Sequence, residues 1–148
     1  MKIILETFWR DLTSICSSPV CLFIVFLLWL FGNSRLSLML LACLILSYLL
    51  AALIRIFYFK KRPIKQKYTG LFEKIDASSF PSVHSMRAAI LLVLFVDTYR
   101  NVFVIALFGA LALLIPISRY ILKKHYISDI IWGFIFGILL SGIFVCFF

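Results

Sequence analysis

Charge is scarce in this chain: 14% of its 148 residues are Asp, Glu, Lys or Arg, and only six of those are acidic. With 64% hydrophobic residues, against the 45–50% of a soluble domain, such a composition excludes an ordinary water-soluble fold and implies an integral membrane protein. Cysteines number four (Cys16, Cys21, Cys43, Cys146) and lack the short paired spacings of a zinc cluster or a disulfide framework, so they read as buried thiols. No carboxylate cluster suited to a metal is visible, and no nucleic-acid partner is expected. Internal repeats, low-complexity tracts and an A-x-A type cleavage site after the first apolar run are also missing. The N-terminus is therefore expected to stay.

What is present is a series of long apolar runs, near 18–32, 36–56, 82–97, 101–118 and 128–148. Runs of about 17–25 apolar residues suit transmembrane helices. They predict an all-α membrane bundle of about five crossings, organised as a single domain over 1–148. Ahead of them, residues 2–15 mix Ile3, Leu5, Phe8, Trp9 and Leu12 with Lys2, Glu6, Arg10 and Asp11, the pattern of an interfacial amphipathic helix. Gly133 and Gly137 form a G-x-x-x-G pair that lets helices approach closely, within the chain or between chains.

The few charges are unevenly placed. Threading five crossings leaves only Arg35 and Arg100, of 15 Lys and Arg residues, on one side. The remainder fall with the N-terminus, the 58–80 loop and the 119–127 segment, which the positive-inside bias assigns to the cytoplasm.

The unusual polar residues converge on that same face. Arg55 and Arg62 end the second run, Ser82, His84 and Arg87 begin the third, Arg119 ends the fourth, and His125 and Asp129 begin the fifth. Intramembrane ionisable residues are functional candidates by default. Seven residues separate Arg55 from Arg62, two turns that share a face if the helix continues to Pro63. His125 and Asp129 are spaced i, i+4, so the carboxylate can orient one ring nitrogen and leave the other to attack. His84, in the first turn of its helix, lies where free N–H groups favour an anion, with the Ser82 hydroxyl beside it. Arginines 62 and 119 offer planar forks for phosphate oxygens. Lys60 and Lys61 read as headgroup anchors, Ser78 and Ser79 as caps of the third span, and Glu73 and Asp76 as solvated loop charges. Arg87 reads as a further phosphate contact or a headgroup partner. The chemistry these residue types suggest together is phosphoryl transfer.

Pro81-Ser82-Val83-His84 and Ser118-Arg119-(five residues)-His125-(three residues)-Asp129 resemble the second and third motifs of the type 2 phosphatidic acid phosphatase superfamily. Arg55-(six residues)-Arg62-Pro63 resembles the first. Two positions depart from that pattern: Arg55 stands where the family has Lys, and Val83 where it has Gly. The resemblance implies a membrane-integral lipid phosphatase needing no metal or other cofactor. Its phosphohistidine would form on His125, oriented by Asp129, with His84 as acid and base and Arg55, Arg62, Ser82 and Arg119 holding the phosphoryl oxygens. Implied substrates are phosphatidic acid, phosphatidylglycerophosphate and isoprenyl diphosphates in a bilayer, the cell membrane being the expected location. A lipid phosphotransferase and a non-catalytic protein binding anionic lipid are the alternatives; oligomeric state is not encoded legibly.

Overall fold

Punctuation in the sequence sets the helix boundaries of the computed structural model, which describes residues 2–64 and 68–148. Its helices are α1 (Lys2–Ser14), α2 (Ser18–Leu30), α3 (Ser34–Phe57), α4 (Leu71–Ala77), α5 (Val83–Tyr99), α6 (Val102–Ile121) and α7 (Ile127–Phe147). Pro19 opens α2, where its missing N–H costs nothing. Gly32 follows α2 at φ 82°, a left-handed conformation that side chains disfavour. Asn33, Ser82 and Asn101 cap α3, α5 and α6 through their side-chain oxygens. Lys65 and Lys67 of the basic loop lie outside the described residues.

The fold is all-helical among the described residues and is that of an integral membrane protein. Helices α3, α6 and α7 are each long and apolar enough to cross a bilayer unaided. The helices α1 and α2, 13 residues each, would span roughly 20 Å apiece at 1.5 Å per residue, short of the ~30 Å hydrocarbon core. Together they form a pair bent by 44° that is long enough for one crossing. As the sequence indicated, α1 and α2 are two separate helices, broken between Ser14 and Ser18, and α1 lines one cavity with Ile64, Ile121, Leu122 and Lys123 at the polar end. A fifth crossing would be α5, whose 17 residues carry His84, Arg87 and Asp97. It is the central helix, packed on α3, α6 and α7 and buried continuously from Ser85 to Leu91. That burial between helices is what lets it carry charge.

The core runs through Leu36, Leu40, Met86, Ile90, Leu91, Leu94 and Ile115, all nearly inaccessible. Outward faces remain apolar, with Phe23, Phe26, Leu113 and Leu139 exposed, as a lipid-facing surface requires. The turns after α2 and after α5 meet at one end, where Asn33 Nδ2 donates to Tyr99 Oη at 3.3 Å. Chain segments 58–64 and 78–82 meet 122–126 at the other end.

Glycines 133 and 137 seat α7 directly on α5. A Cβ on Gly133 would collide with the Ser82 carbonyl oxygen, and one on Gly137 with that of Met86. The close-approach pair thus works within the chain, and it brings the start of α7 to the start of α5.

Candidate active site

Backbone bonds fasten the loops at the polar end. The Ser79 N–H donates to the Lys60 carbonyl at 2.8 Å, Ser82 N–H to the Asp129 carbonyl at 3.0 Å and Ile64 N–H to the Lys123 carbonyl at 3.4 Å. Arg55 adds a clamp of three donors, reaching the carbonyls of Pro81 at 2.9 Å, Phe80 at 3.3 Å and Ile75 at 3.4 Å. Helix α3 ends at Phe57, so Arg55 and Arg62 do not share one helical face as their spacing suggested. The chain leaves helical geometry well before Pro63. Arg62 reaches back instead, donating to the Asp76 carbonyl at 2.5 Å.

A cavity of about 190 Å³ opens between these segments. Arg55, Arg62, His84, Arg119 and His125 line it, so five of the seven sequence-derived site residues share one space. Arg87, Asp76, Val83, Tyr48 and Ser18 complete the wall. Against four guanidinium groups the lining supplies a single carboxylate, Asp76, whose oxygen is 4.0 Å from Arg55 Nη1. Asp76 is thus at the rim of the site, and its side chain, 77% exposed, is also solvated as the sequence suggested. The buried Nε atoms of Arg87 and Arg119 have no hydrogen-bond partner, which is the condition of donors awaiting an acceptor. Burial lowers the pKa of Arg62, against the opposing charge of Asp76.

His125 and Asp129 are not helical neighbours. Helix α7 begins at Ile127 with Tyr126 as its cap, leaving His125 in the preceding loop. Asp129 lies in the first turn and reaches back to accept from the Tyr126 N–H at 3.0 Å, a capping bond. Its buried carboxylate also accepts from Lys60 Nζ at 2.5 Å, from Ser128 Oγ at 3.4 Å and from Ser79 Oγ in a short contact. No direct bond to His125 forms among these contacts. The ring instead meets the Ser79 carbonyl, Nδ1 to oxygen 2.6 Å. Ser79 therefore links the two, its hydroxyl on the Asp129 carboxylate and its carbonyl on the His125 ring.

That contact determines the tautomer. A carbonyl oxygen only accepts, so Nδ1 carries the proton and Nε2 keeps its lone pair in the neutral ring. Burial, followed by the charges of Arg119 and Arg62, holds the His125 pKa well below the usual imidazole value of 6.5, outweighing the Ser79 bond. His125 is therefore a neutral imidazole with Nε2 free.

Ser82 sits elsewhere than expected. Its hydroxyl is buried and bonded to Ser85 Oγ at 2.9 Å, where it caps α5, and it does not line the cavity. Ser118 likewise turns its hydroxyl onto the Ile115 carbonyl at 2.5 Å. Val83, in place of glycine, is helical, and positive φ occurs at Arg100 and Lys123 alone among described non-glycine residues. The branched side chain therefore causes no backbone strain there.

Two participants escaped the sequence. Lys60, expected at a headgroup, pairs with Asp129 and stacks 4.9 Å above the Tyr126 ring. Ser79, expected as a helix cap, joins Asp129 to His125. Neither has a periodic or motif signal, because both act across about 50 residues or more of chain.

A family model described as the PAP2 superfamily matches residues 37–148. No curated protein matches significantly. Among solved structures, Aquifex aeolicus LpxE superposes with a TM-score of 0.80 at 20% identity, over 97% of this chain and 87% of that one. A transmembrane PAP2-type phosphatidylglycerolphosphate phosphatase from Bacillus subtilis gives 0.76 at 23% identity, over 97% and 76%. At these identities the likeness is one of fold.

Proposed function

The chain belongs to the PAP2 superfamily, and from that premise we propose that it is a metal-independent lipid phosphatase working through a phosphohistidine on His125. The observation that carries this reading is the His125 Nδ1 contact with the Ser79 carbonyl, which leaves Nε2 free in a cavity shared with His84 and four arginines.

In the first step the Nε2 lone pair attacks phosphorus, and the bond from phosphorus to the leaving oxygen breaks. His84 gives that oxygen a proton. Charge on the phosphoryl oxygens is met by Arg62 and Arg119, while Arg55 fixes the loop that carries Pro81 and contributes its charge to the wall. In the second step His84 takes a proton from water, whose oxygen attacks phosphorus as the P–N bond breaks. Inorganic phosphate leaves and both histidines are restored. Asp129 serves by holding Ser79, and Ser82 by capping the helix that presents His84.

Substrates of this reading are phosphatidic acid, phosphatidylglycerophosphate and isoprenyl diphosphates, whose headgroups reach a site at the end of the bundle while their tails stay in lipid. No observation favours the phosphotransferase or the non-catalytic alternative. Phosphate release from these lipids in detergent with chelator tests the proposal: the native protein releases phosphate, and His125→Ala abolishes release. Folded native protein inactive on the whole panel would refute it. His84→Asn should lower kcat by roughly 10²–10⁴, the usual share of general acid–base catalysis.

The charge bias further assigns the site to the cytoplasmic face of the cell membrane. A cysteine introduced as Lys123→Cys in a Cys146→Ser background should resist an impermeant thiol reagent in intact cells and react after permeabilisation. Labelling from outside would reverse the orientation.

A further inference from the structure

Arg87 belongs to none of the three motifs, yet it is the arginine that joins two cavities. It sits on α5 three residues beyond His84, about 4.5 Å farther along the axis, on the side away from the helix start where the site opens. Its side chain is 94% buried, being 6% exposed. Nη1 donates to the Cys16 carbonyl at 3.1 Å, Nε has no partner, and no ion pair among the described residues includes it. A buried guanidinium without an anion is costly, so this position implies one.

The second cavity lies between α2 and α3. Its volume is about 240 Å³, and Leu22, Leu41, Leu44, Ile45 and Leu49 give it an apolar wall. Ser18, Tyr48 and Arg87 are common to both cavities. Moving inward, a lipid would meet the phosphoryl site at His84 and His125, then Arg87 with two hydroxyls, then a hydrocarbon wall. Charge supports the same order. Four arginines and one aspartate leave the polar cavity three positive charges in excess, whereas a phosphate monoester brings only about −1.5 to −2. A second phosphate on the tail side would offset the remainder.

We propose that Arg87, with Ser18 and Tyr48, forms a second anion subsite that selects lipids carrying two phosphates, the outer one being cleaved. Two lipid types present that chemistry: those with directly linked phosphates and those with a glycerol between them. The inference rests on the phosphatase reading for its order of events. His125 takes the outer phosphoryl group, the bond to the next oxygen breaks, and that oxygen departs with the inner lipid phosphate, whose charge Arg87 offsets. Water completes the turnover as above, and no further reactant is consumed.

The test compares isoprenyl diphosphate with isoprenyl monophosphate, and phosphatidylglycerophosphate with phosphatidic acid. Hydrolysis is measured for the native protein, Arg87→Gln and Arg87→Lys; binding of the same lipids is measured in the non-turning His125→Ala background with and without Arg87→Gln. The native protein should favour the two-phosphate member of at least one pair by tenfold or more in kcat/KM. Arg87→Gln should cut that ratio to about unity, and Arg87→Lys should restore part of it. The pair that responds identifies whether the phosphates are linked directly or through glycerol. Because each ratio is taken within one protein, a general loss of folded enzyme cancels. Equal preference within both pairs, or an Arg87→Gln effect that is parallel on all four lipids in hydrolysis and binding, overturns the subsite. Discrimination in binding without any turnover would instead retain the subsite and refute the phosphatase reading.

Discussion

The proton on His125 Nδ1 is fixed by one carbonyl oxygen, and that oxygen belongs to a residue whose hydroxyl holds Asp129. Ser79→Ala keeps the carbonyl but loses the hydroxyl, so it should lower kcat by about tenfold, leave KM nearly unchanged and preserve the fold. A comparable loss in KM would argue against an orienting role. Lys60→Met removes a charged hydrogen bond from a buried carboxylate and should destabilise by roughly 1.5–3 kcal/mol, measured by thermal unfolding in detergent. Since His125 is held neutral well below 6.5, its protonation should not limit kcat/KM near neutral pH; an acid limb at 6.5 that moves with changes at His125 would contradict this. The sign for stability follows. Between the depressed folded value and 6.5 the unfolded chain binds the extra proton, so His125 makes the fold less stable as pH falls through that window. Of this network the sequence displayed His84, His125, Asp129 and the arginines, because their residue types and spacings are constrained by chemistry. It hid Ser79 and Lys60, whose parts depend on a backbone oxygen and a long-range ion pair that follow no local period.

Where α5 and α7 cross, the absence of side-chain atoms at two positions sets the distance between the histidine-bearing segments. Gly133→Ala or Gly137→Ala drives a methyl group into a carbonyl of α5 and should cost 1–3 kcal/mol or more, with activity falling as α7 is displaced. Gly142, where an added Cβ meets nothing, is the control: Gly142→Ala should be neutral or stabilising by up to about 1 kcal/mol. If all three behave alike in unfolding measurements, the seam is not what positions α7. The G-x-x-x-G spacing made a close approach legible without naming its partner, since both neighbouring chains and neighbouring helices could fill it. Helix ends were less legible. The spacing of Arg55 and Arg62 suggested continuation to Pro63, whereas the chain departs from helix after Phe57, and the i, i+4 spacing of His125 and Asp129 straddles a helix start.

Taken whole, the molecule keeps apolar faces outside as well as an apolar core and gathers most of its charges at one end, an arrangement visible in composition and run lengths before any contact was known. The number of crossings was not equally visible, because α1 and α2 are each too short alone and only their bent junction relates them. Basic residues beyond the cavity wall add to its charge: Lys124 is near Arg119, Arg62 and Arg10. Raising salt from 0.05 to about 0.5 M, which shortens the screening length severalfold, should raise KM for anionic lipids in neutral detergent micelles with little change in kcat. A KM insensitive to salt would exclude steering by this field. The shared wall between the polar and apolar cavities has a further consequence for how turnover ends. Cleavage there divides the substrate into inorganic phosphate, which water dissolves, and a lipid whose tail lies against the apolar wall with any remaining phosphate at Arg87, so that each product already touches the phase that holds it. Release then needs no gate, because solubility itself sorts the products and keeps them from meeting again.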